Sequence, residues 1–212
     1  MDTQATPTQY PVRLSIDYPD RDLNRATTFF RVIVAIPIFI VLGLLSGSTW
    51  GAGWDKGEFA YAAGGLLFLP VLLLVLFRQK YPRWWFDWNL NLLRFETRVF
   101  AFLSLMDDRY PSTDEEQYVH VDVDYPDAQR DLNRWLPLVK WLLAIPHYIV
   151  LILLNIAAIV VIVLAWFAIL FTGRYPRGMF DFVEGVFRWE TRVFGYAFIL
   201  VTDRYPPFTL NP

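Results

Sequence analysis

The chain carries one stretch twice, and this duplication limits its possible folds more than any other feature. Residues 80–100 read KYPRWWFDWNLNLLRFETRVF, and residues 174–194 read RYPRGMFDFVEGVFRWETRVF. Each copy follows an apolar segment and begins with a basic Tyr-Pro turn. The duplication predicts two units with the same order of elements.

Composition places the protein in a bilayer and excludes several kinds of site. Of the 212 residues, 55% are hydrophobic and 18% aromatic. Both fractions are higher than those of an ordinary soluble domain. The formal charge of -2 gives no drive toward nucleic acid, so no nucleic-acid partner is expected. The chain has no cysteine and only two histidines, His120 and His147. We therefore predict neither a disulfide framework, a metal site nor a cofactor.

Two short stretches have the alternation of a half-buried strand. Residues 12–18 (VRLSIDY) and 119–125 (VHVDVDY) alternate apolar and polar side chains, and Pro19 and Pro126 end them. Because the two stretches occupy matching positions in the repeats, they are predicted to pair into a small sheet outside the membrane.

Apolar segments of membrane-spanning length follow each strand. Residues 29–45 and 136–154 extend about 26 to 28 Å as helices, close to the roughly 30 Å of a hydrocarbon core. Residues 59–77 contain no charge and form a further candidate span. In the second repeat, residues 136–171 allow either a hairpin or one long span. The positive-inside rule favours hairpins, because they leave only Lys56 among the basic residues on the outer face.

The duplicated stretches themselves have the pattern of amphipathic helices. On a helical wheel one face of the first copy is polar and the other apolar. The polar face holds Asp87, Asn91, Arg94 and Arg98, and the apolar face holds Trp88, Leu92, Phe95 and Val99. Both helices are predicted to lie along the membrane surface.

These elements predict a mainly α, polytopic membrane protein built from two tandem repeats. Each repeat comprises a short β-strand, a transmembrane helical hairpin and an in-plane amphipathic helix. The predicted domains are a disordered tail (1–9), a first repeat (10–111), an acidic linker (112–117) and a second repeat (118–212). The predicted location is the bacterial inner membrane, with both termini cytoplasmic.

Three motifs resemble a known family. Residues 144–151 (AIPHYIVL), 165–182 (AWFAILFTGRYPRGMFDF) and 202–210 (TDRYPPFTL) resemble a bacterial membrane-protein family known as domain of unknown function 4389. The first repeat is similar but departs from the pattern, with Ile38 at the position of the histidine. The resemblance implies an integral membrane protein with two tandem copies, and it carries over no catalytic residue.

Glu96 and Glu190 are the least expected side chains, because each falls on the apolar side of its helix. A carboxylate there is costly unless it is paired or protonated. We interpret both as partners in structural ion pairs. The candidate partners, present in both repeats, are Arg25, Arg134, Arg109 and Arg204. The alternative is a pair of glutamates that handles a proton or a ligand.

The turns and aromatic residues predict contacts with lipid. Candidate lipid-headgroup ligands are Arg78, Lys80, Arg83, Arg174 and Arg177. Candidate interfacial aromatics are Trp84, Trp85, Trp88 and Trp189. His147 is interpreted as a hydrogen-bonded core or interface residue, with haem or chlorophyll ligation as the alternative.

No catalytic motif is present, so an enzyme is not favoured. We predict a non-catalytic inner-membrane accessory or scaffold protein with a cytoplasmic lipid- and protein-binding surface. Its partners would be membrane lipids and another membrane protein or a second copy of itself. The alternative is a transporter or channel component that uses the paired glutamates.

Overall fold

A computed structural model describes residues 9–45, 69–113, 115 and 117–212, and for residues 41–45 the backbone alone. The strands are β1 (Val12–Ile16) and β2 (Val119–Val123). The helices of the first half are α1 (Arg25–Phe29), α2 (Arg31–Val34), α3 (Ile36–Leu45), α4 (Leu69–Arg78) and α5 (Arg83–Leu103). Those of the second half are α6 (Pro137–Leu143), α7 (Ile145–Thr172) and α8 (Arg177–Phe194).

The two strands pair as the alternation predicted. β1 and β2 are antiparallel, with Val12 opposite Val123 and Ile16 opposite Val119. Valine, leucine and isoleucine side chains fill the inner face, whereas Arg13, Ser15, His120 and Asp122 lie on the outer face. Two strands alone are marginally stable, so this sheet needs a covered face.

Helices α5 and α8 supply that cover and form the middle layer. Each contacts the strand that belongs to the other half of the chain, α8 on β1 and α5 on β2. Arg188 donates through Nε to the carbonyl oxygen of Leu14 at 3.0 Å. Arg94 donates in the same way to Val121 at 2.9 Å. These arginines satisfy strand carbonyls and join the two layers.

The apolar helices form a third layer on the opposite side of α5 and α8. Ala35 and Ile38 pack with Phe95, Val99 and Phe102 of α5. Ala144 and Leu151 pack with Trp189 and Val193 of α8. The buried residues of α7 are spaced along its whole length: His147, Leu151, Ala158, Ala165 and Ile169. α7 therefore packs on α8, and α1 also covers its C-terminal part, where Trp166 donates to the Thr28 carbonyl at 3.1 Å.

The prediction of a polytopic protein made of tandem hairpins is wrong. Among the described residues, one helix, Ile145–Thr172, is long and apolar enough to cross a membrane. It continues through residues 154–156, where the hairpin was expected to turn. That site holds Leu-Asn-Ile without glycine or proline, and the Asn155 amide donates to the Leu151 carbonyl at 2.9 Å within the helix.

The first apolar segment also differs from the single continuous helix that was predicted for it. Residues 29–45 form three short helices, broken at Phe30 and Ala35. The break at Ala35 precedes Ile-Pro, and the break at Ala144 precedes the same dipeptide. Proline has no N–H and its ring clashes with the preceding turn, which explains both breaks. Most of the predicted span at residues 59–77 falls outside the described residues.

The prediction that α5 and α8 rest on a membrane surface is likewise wrong. Their polar sides contact the sheet, and their apolar sides contact the third layer. Ten residues of α5 and nine of α8 are buried. An amphipathic pattern identifies the apolar face of a helix but not whether lipid or protein covers it.

The two halves make corresponding contacts crosswise. Tyr18, after β1, donates to the carbonyl oxygen of Tyr175, and Tyr125, after β2, donates to that of Tyr81. Gln79 and Gly173 both have positive φ, 44° and 79°, at the matching turns. One difference is local, since residues 193–203 hold one residue more than residues 99–108. The extra residue is accommodated by a π-helical turn at Gly195–Ile199.

Candidate binding site

A cavity of about 320 Å³ lies between α5, α7 and α8 and contains both predicted glutamates. Its walls are mostly apolar and aromatic. They are formed by Leu93, Thr97, Phe100, Tyr148, Leu151, Phe187, Thr191, Val193, Phe194 and Phe198, together with Glu96 and Glu190. Apolar walls with a few polar groups are typical of small-molecule sites, and the volume lies at the lower end of their range.

Burial raises the pKa of both glutamates. For Glu96, desolvation is the cause, and no described residue donates a hydrogen bond or forms an ion pair with its carboxylate. For Glu190, desolvation again raises the pKa, while a hydrogen bond from Asn155 opposes the shift. The Asn155 amide nitrogen lies 2.5 Å from Oε1 of Glu190. The donors among the described residues therefore neutralise these two carboxylates only in part.

The threonines beside the glutamates do not donate to them. Thr97 donates its hydroxyl to the Leu93 carbonyl, and Thr191 donates to that of Phe187, each at 2.7 Å. Each threonine thus bonds to its own helix four residues back. The hydroxyl of Tyr148, which also lines the cavity, is buried without a hydrogen-bond partner among the described residues.

The arginines expected to pair with the glutamates make other contacts. Arg25 donates to the Phe171 carbonyl at 3.4 Å, and Arg134 to the Gln79 side chain at 3.0 Å. Arg109 forms an ion pair with Asp107 at 2.9 Å, and Arg204 donates to the Gln9 carbonyl at 3.2 Å. These four residues lie at helix ends and turns, whereas the glutamates lie in the middle of α5 and α8. The structure does not bring the two sets together.

The predicted lipid-binding cations are all exposed, and several contact other side chains. Arg83 lies over the ring of Tyr125 and pairs with Asp87, whereas Arg177 lies over Tyr18 and pairs with Asp181. Arg174 pairs with Asp22 at 2.9 Å. Arg78 and Lys80 complete the exposed set. Such exposed ion pairs contribute little stability, which leaves these cations open to exchange partners.

The predicted interfacial tryptophans fall into two groups. Trp84 and Trp88 are 68% and 48% exposed. Trp85 is partly buried, and Trp189 is buried in the core. Trp189 donates to Nδ1 of His147 at 3.0 Å, and the His147 ring stacks on Phe208 with 4.0 Å between centroids. His147 is thus the hydrogen-bonded core residue that the sequence predicted.

Two buried cations outside the cavity fix the ends of α5 and α8. Lys140 is fully buried, donates to the Thr202 carbonyl at 2.6 Å and pairs with Asp203 at 2.7 Å. Arg31 donates to the Asp107 carbonyl at 2.8 Å. Desolvation lowers the pKa of Lys140, and Asp203 opposes that shift. We interpret both cations as structural, because each closes a turn in the same way.

A larger groove of about 840 Å³ lies at the edge of the sheet and is lined by Arg13, Arg188, Arg192 and Arg204. Its guanidinium groups are already engaged. Arg188 donates to the carbonyls of Leu14 and Leu210, and Arg192 to those of Thr209 and Asn211. These bonds attach the segment after α8 to the helix. We therefore favour the smaller, apolar cavity as the functional site.

Asn155 is the site residue that sequence reasoning missed. It is the only amide within the apolar run at residues 149–171, and the sequence interpretation assigned it to a turn. A lone amide inside a long apolar helix needs a hydrogen-bond partner, and that requirement was the available signal. The cavity aromatics had no comparable signal, because aromatic residues fill both helices.

Fold and site together define a mainly helical protein that packs a two-stranded sheet on one side, exposes apolar helices on the other and contains an open, carboxylate-bearing cavity. Residues 135–209 match the model of a family described as domain of unknown function (DUF4389). The match covers α6, α7, α8 and the segment after them, and it occurs once, where two copies were predicted. Neither the curated proteins nor the solved structures give a match to this chain.

Proposed function

We propose that the protein is a non-catalytic accessory or scaffold protein of the bacterial inner membrane, held by its apolar helical layer. The exposed side of α7 is the observation that carries the proposal. It presents Ile149, Ile152, Leu153, Ile156, Ile159, Val160, Val163, Leu164, Phe167 and Phe171. Soluble monomers rarely expose a continuous apolar surface of this extent. A lipid bilayer is the partner that such a surface fits.

The packing of α8 supports an in-plane position for α7 rather than a crossing one. α8 lies along α7 and carries Arg177, Asp181, Glu184, Arg188, Glu190 and Arg192. The charged outer face of the sheet lies beyond α8. If α7 crossed the bilayer, these groups would enter hydrocarbon, at roughly 2.5 to 3.5 kcal/mol for each charge. An in-plane position keeps the sheet in water and the third layer in lipid.

The basic turns support the same orientation. Arg83 and Arg177 contact Tyr125 and Tyr18, which follow antiparallel strands and therefore lie at opposite ends of the sheet. An in-plane protein places both turns at one leaflet, where each exposed cation contributes about 1 kcal/mol toward anionic headgroups. The positive-inside rule makes that leaflet the cytoplasmic one, with both termini on the same side. The outer face of the sheet then offers a cytoplasmic surface to a membrane protein or a second copy.

We infer that residues 10–111 are a diverged second copy of the family domain. The stretches at 80–100 and 174–194, identical at 11 of 21 positions, support this inference. So do the crosswise contacts, in which Arg94 and Arg188 bond strand carbonyls and Arg31 and Lys140 bond the carbonyls of matching turns. A family model built from relatives of the second half of this chain should then match residues 10–111 as well.

Cysteine labelling tests the orientation, because the chain has no native cysteine. Single substitutions Ser15→Cys, Lys80→Cys and Arg174→Cys place thiols on the sheet and at both turns. In sealed inside-out vesicles, a membrane-impermeant maleimide should label all three, and in sealed right-side-out vesicles none. Labelling of Lys80→Cys and Arg174→Cys from opposite sides would overturn the in-plane proposal.

Membrane attachment has its own test. Ile156→Glu and Val160→Glu should shift the protein from floating liposomes to the soluble fraction, whereas Ser15→Glu on the sheet should float like the unchanged protein. Retention of both α7 variants on liposomes would contradict the proposal. Purification of the unchanged protein in mild detergent should yield it together with a second membrane protein or a second copy of itself. Purification as a monomer without any bound protein would count against a scaffold role.

One observation favours the alternative of a transporter or channel component, namely that Glu96 and Glu190 line the same cavity. Ion flux in proteoliposomes that disappears in Glu96→Gln and Glu190→Gln would establish it. Absence of flux from correctly folded protein would leave the scaffold role as the better account.

A further inference from the structure

We propose that the cavity between α5, α7 and α8 binds an amphipathic organic cation, with its ammonium group between Glu96 and Glu190 and its alkyl chain against the apolar walls. The inference goes beyond the scaffold role and does not depend on how α7 sits in the membrane. It rests on the geometry of the cavity and on the few hydrogen bonds that the described residues donate to its polar groups.

The carboxylates are the first part of the argument. A buried carboxylate is stable when a cation or several donors neutralise it. Glu190 receives one hydrogen bond, from Asn155, and Glu96 receives none from the described residues. Thr97 and Thr191, the nearest hydroxyls in sequence, donate to their own helices. An ammonium group brings up to three N–H donors and a positive charge, which the described residues around the cavity do not supply.

Aromatic rings supply the second part. Phe100, Phe187, Phe194, Phe198 and Tyr148 line the same cavity as the glutamates. Ring faces attract ammonium groups within about 6 Å, and the attraction is greatest where water is excluded. The Tyr148 oxygen is buried without a hydrogen-bond partner among the described residues and can accept an N–H bond. Carboxylates beside several rings favour an organic cation over a neutral or anionic ligand.

The remaining wall defines the rest of the ligand and argues against a metal ion. Leu93, Leu151 and Val193 offer only apolar contacts, which suit an alkyl chain and not the water shell of an inorganic ion. The described residues contain no group of three or more potential metal ligands. The volume of about 320 Å³ accommodates a head group and a short chain.

Such a cation has two possible sources, a free amphiphilic amine or the head group of an aminophospholipid. A matched set of eight-carbon probes tests the shared chemistry: n-octylammonium, n-octanol and n-octanoate, titrated by calorimetry against purified protein in a non-ionic detergent at pH 7.5. We expect saturable binding of n-octylammonium alone. The charge-assisted contacts predict that Glu96→Gln and Glu190→Gln each weaken binding roughly tenfold or more.

Control variants carry the same chemical change outside the cavity. Asp87→Asn on α5 and Asp181→Asn on α8 remove exposed carboxylates and should leave n-octylammonium binding unchanged. Thermal unfolding without ligand establishes that each variant is folded. Equal binding of n-octanol and n-octylammonium, or unchanged binding in folded Glu96→Gln and Glu190→Gln, would overturn the proposal.

The source is then assigned in nanodiscs. If an aminophospholipid is the natural occupant, n-octylammonium should bind in phosphatidylglycerol nanodiscs and be displaced in nanodiscs that contain phosphatidylethanolamine. If a free amine is the occupant, binding should be the same in both. Absence of n-octylammonium binding in both nanodiscs and in detergent would refute the site.

Discussion

The side-chain amide of Asn155, in the middle of α7, donates a 2.5 Å hydrogen bond to Oε1 of Glu190 on α8. The same amide also donates to the Leu151 carbonyl one turn earlier. This pair joins the long apolar helix α7 to the amphipathic helix α8 beside the cavity. It also explains how a polar residue remains inside an unbroken helix where the sequence suggested a turn.

Replacing Asn155 tests the importance of this bond. Asn155→Leu should leave Glu190 without this donor and lower the free energy of unfolding by about 1 kcal/mol, because a partly buried carboxylate then loses a hydrogen bond. Denaturant unfolding in detergent measures the change. The double variant Asn155→Leu with Glu190→Leu should recover part of the loss, and strictly additive effects would show that the two residues are not coupled.

The two cavity glutamates should make stability depend on pH in a defined direction. Their pKa values are raised above the ordinary 4.5, so the folded protein binds protons more tightly than the unfolded chain. Their contribution is therefore most favourable below pH 4.5 and is lost as pH rises through the raised pKa values. Unfolding across a pH series should show this loss, and Glu96→Gln with Glu190→Gln should reduce it.

For that comparison, Asp87→Asn is the control, because Asp87 is exposed and lies on the same helix as Glu96. It should leave the pH dependence as it is. If the glutamine double variant showed the same pH dependence as the unchanged protein, the two carboxyls would not have raised pKa values.

Lys140 should be required for the turn after α8. Lys140→Met removes the partner of Asp203 and the donor to the Thr202 carbonyl. Breaking a buried pair typically costs about 3 to 5 kcal/mol, and we expect the lower end because Asp203 is partly exposed. Lys80→Met, at an exposed cation, should change the free energy of unfolding by less than about 0.5 kcal/mol. Similar losses from both would contradict the structural role.

Two glycines of α8 should respond to alanine with opposite signs. A Cβ at Gly178 would meet no atom within 4 Å. Gly178→Ala should therefore stabilise the folded protein by about 0.5 to 1 kcal/mol, because alanine lowers the backbone entropy of the unfolded chain. A Cβ at Gly185 would lie 2.9 Å from that of Leu210 and 3.1 Å from its carbonyl oxygen. Gly185→Ala should therefore destabilise by about 1 to 3 kcal/mol. Thermal unfolding of the pair measures both, and a stabilising Gly185→Ala would show that the segment after α8 is not held against the helix.

Much of the local structure followed from sequence. The alternation of VRLSIDY and VHVDVDY located both strands, and the wheel of each duplicated stretch located α5 and α8 with the correct polar and apolar faces. The apolar segments were found, but their connections were not. Asn155 lies inside one helix, whereas Phe30 and Ala35 interrupt an apolar run that was expected to be continuous.

The candidate site was predicted only as a pair of unusual residues. Glu96 and Glu190 stood out because each fell on an apolar helix face, but the sequence offered four arginines as partners and no reason to choose a cavity instead. Asn155 is 35 residues from Glu190 in the chain, so their contact depends on how α7 packs on α8. No local pattern encodes such a contact.

The sequence by itself determined where the two strands and the helices α5 and α8 lie, which face of each is apolar and where the basic turns fall, since these follow from side-chain periodicity and from proline and glycine. Only the tertiary structure decided that each strand packs on the helix of the other half, that α5 and α8 are covered on both sides, and that two glutamates share one cavity. Periodicity specifies that a face must be covered. What covers it depends on the packing of segments far apart in the chain.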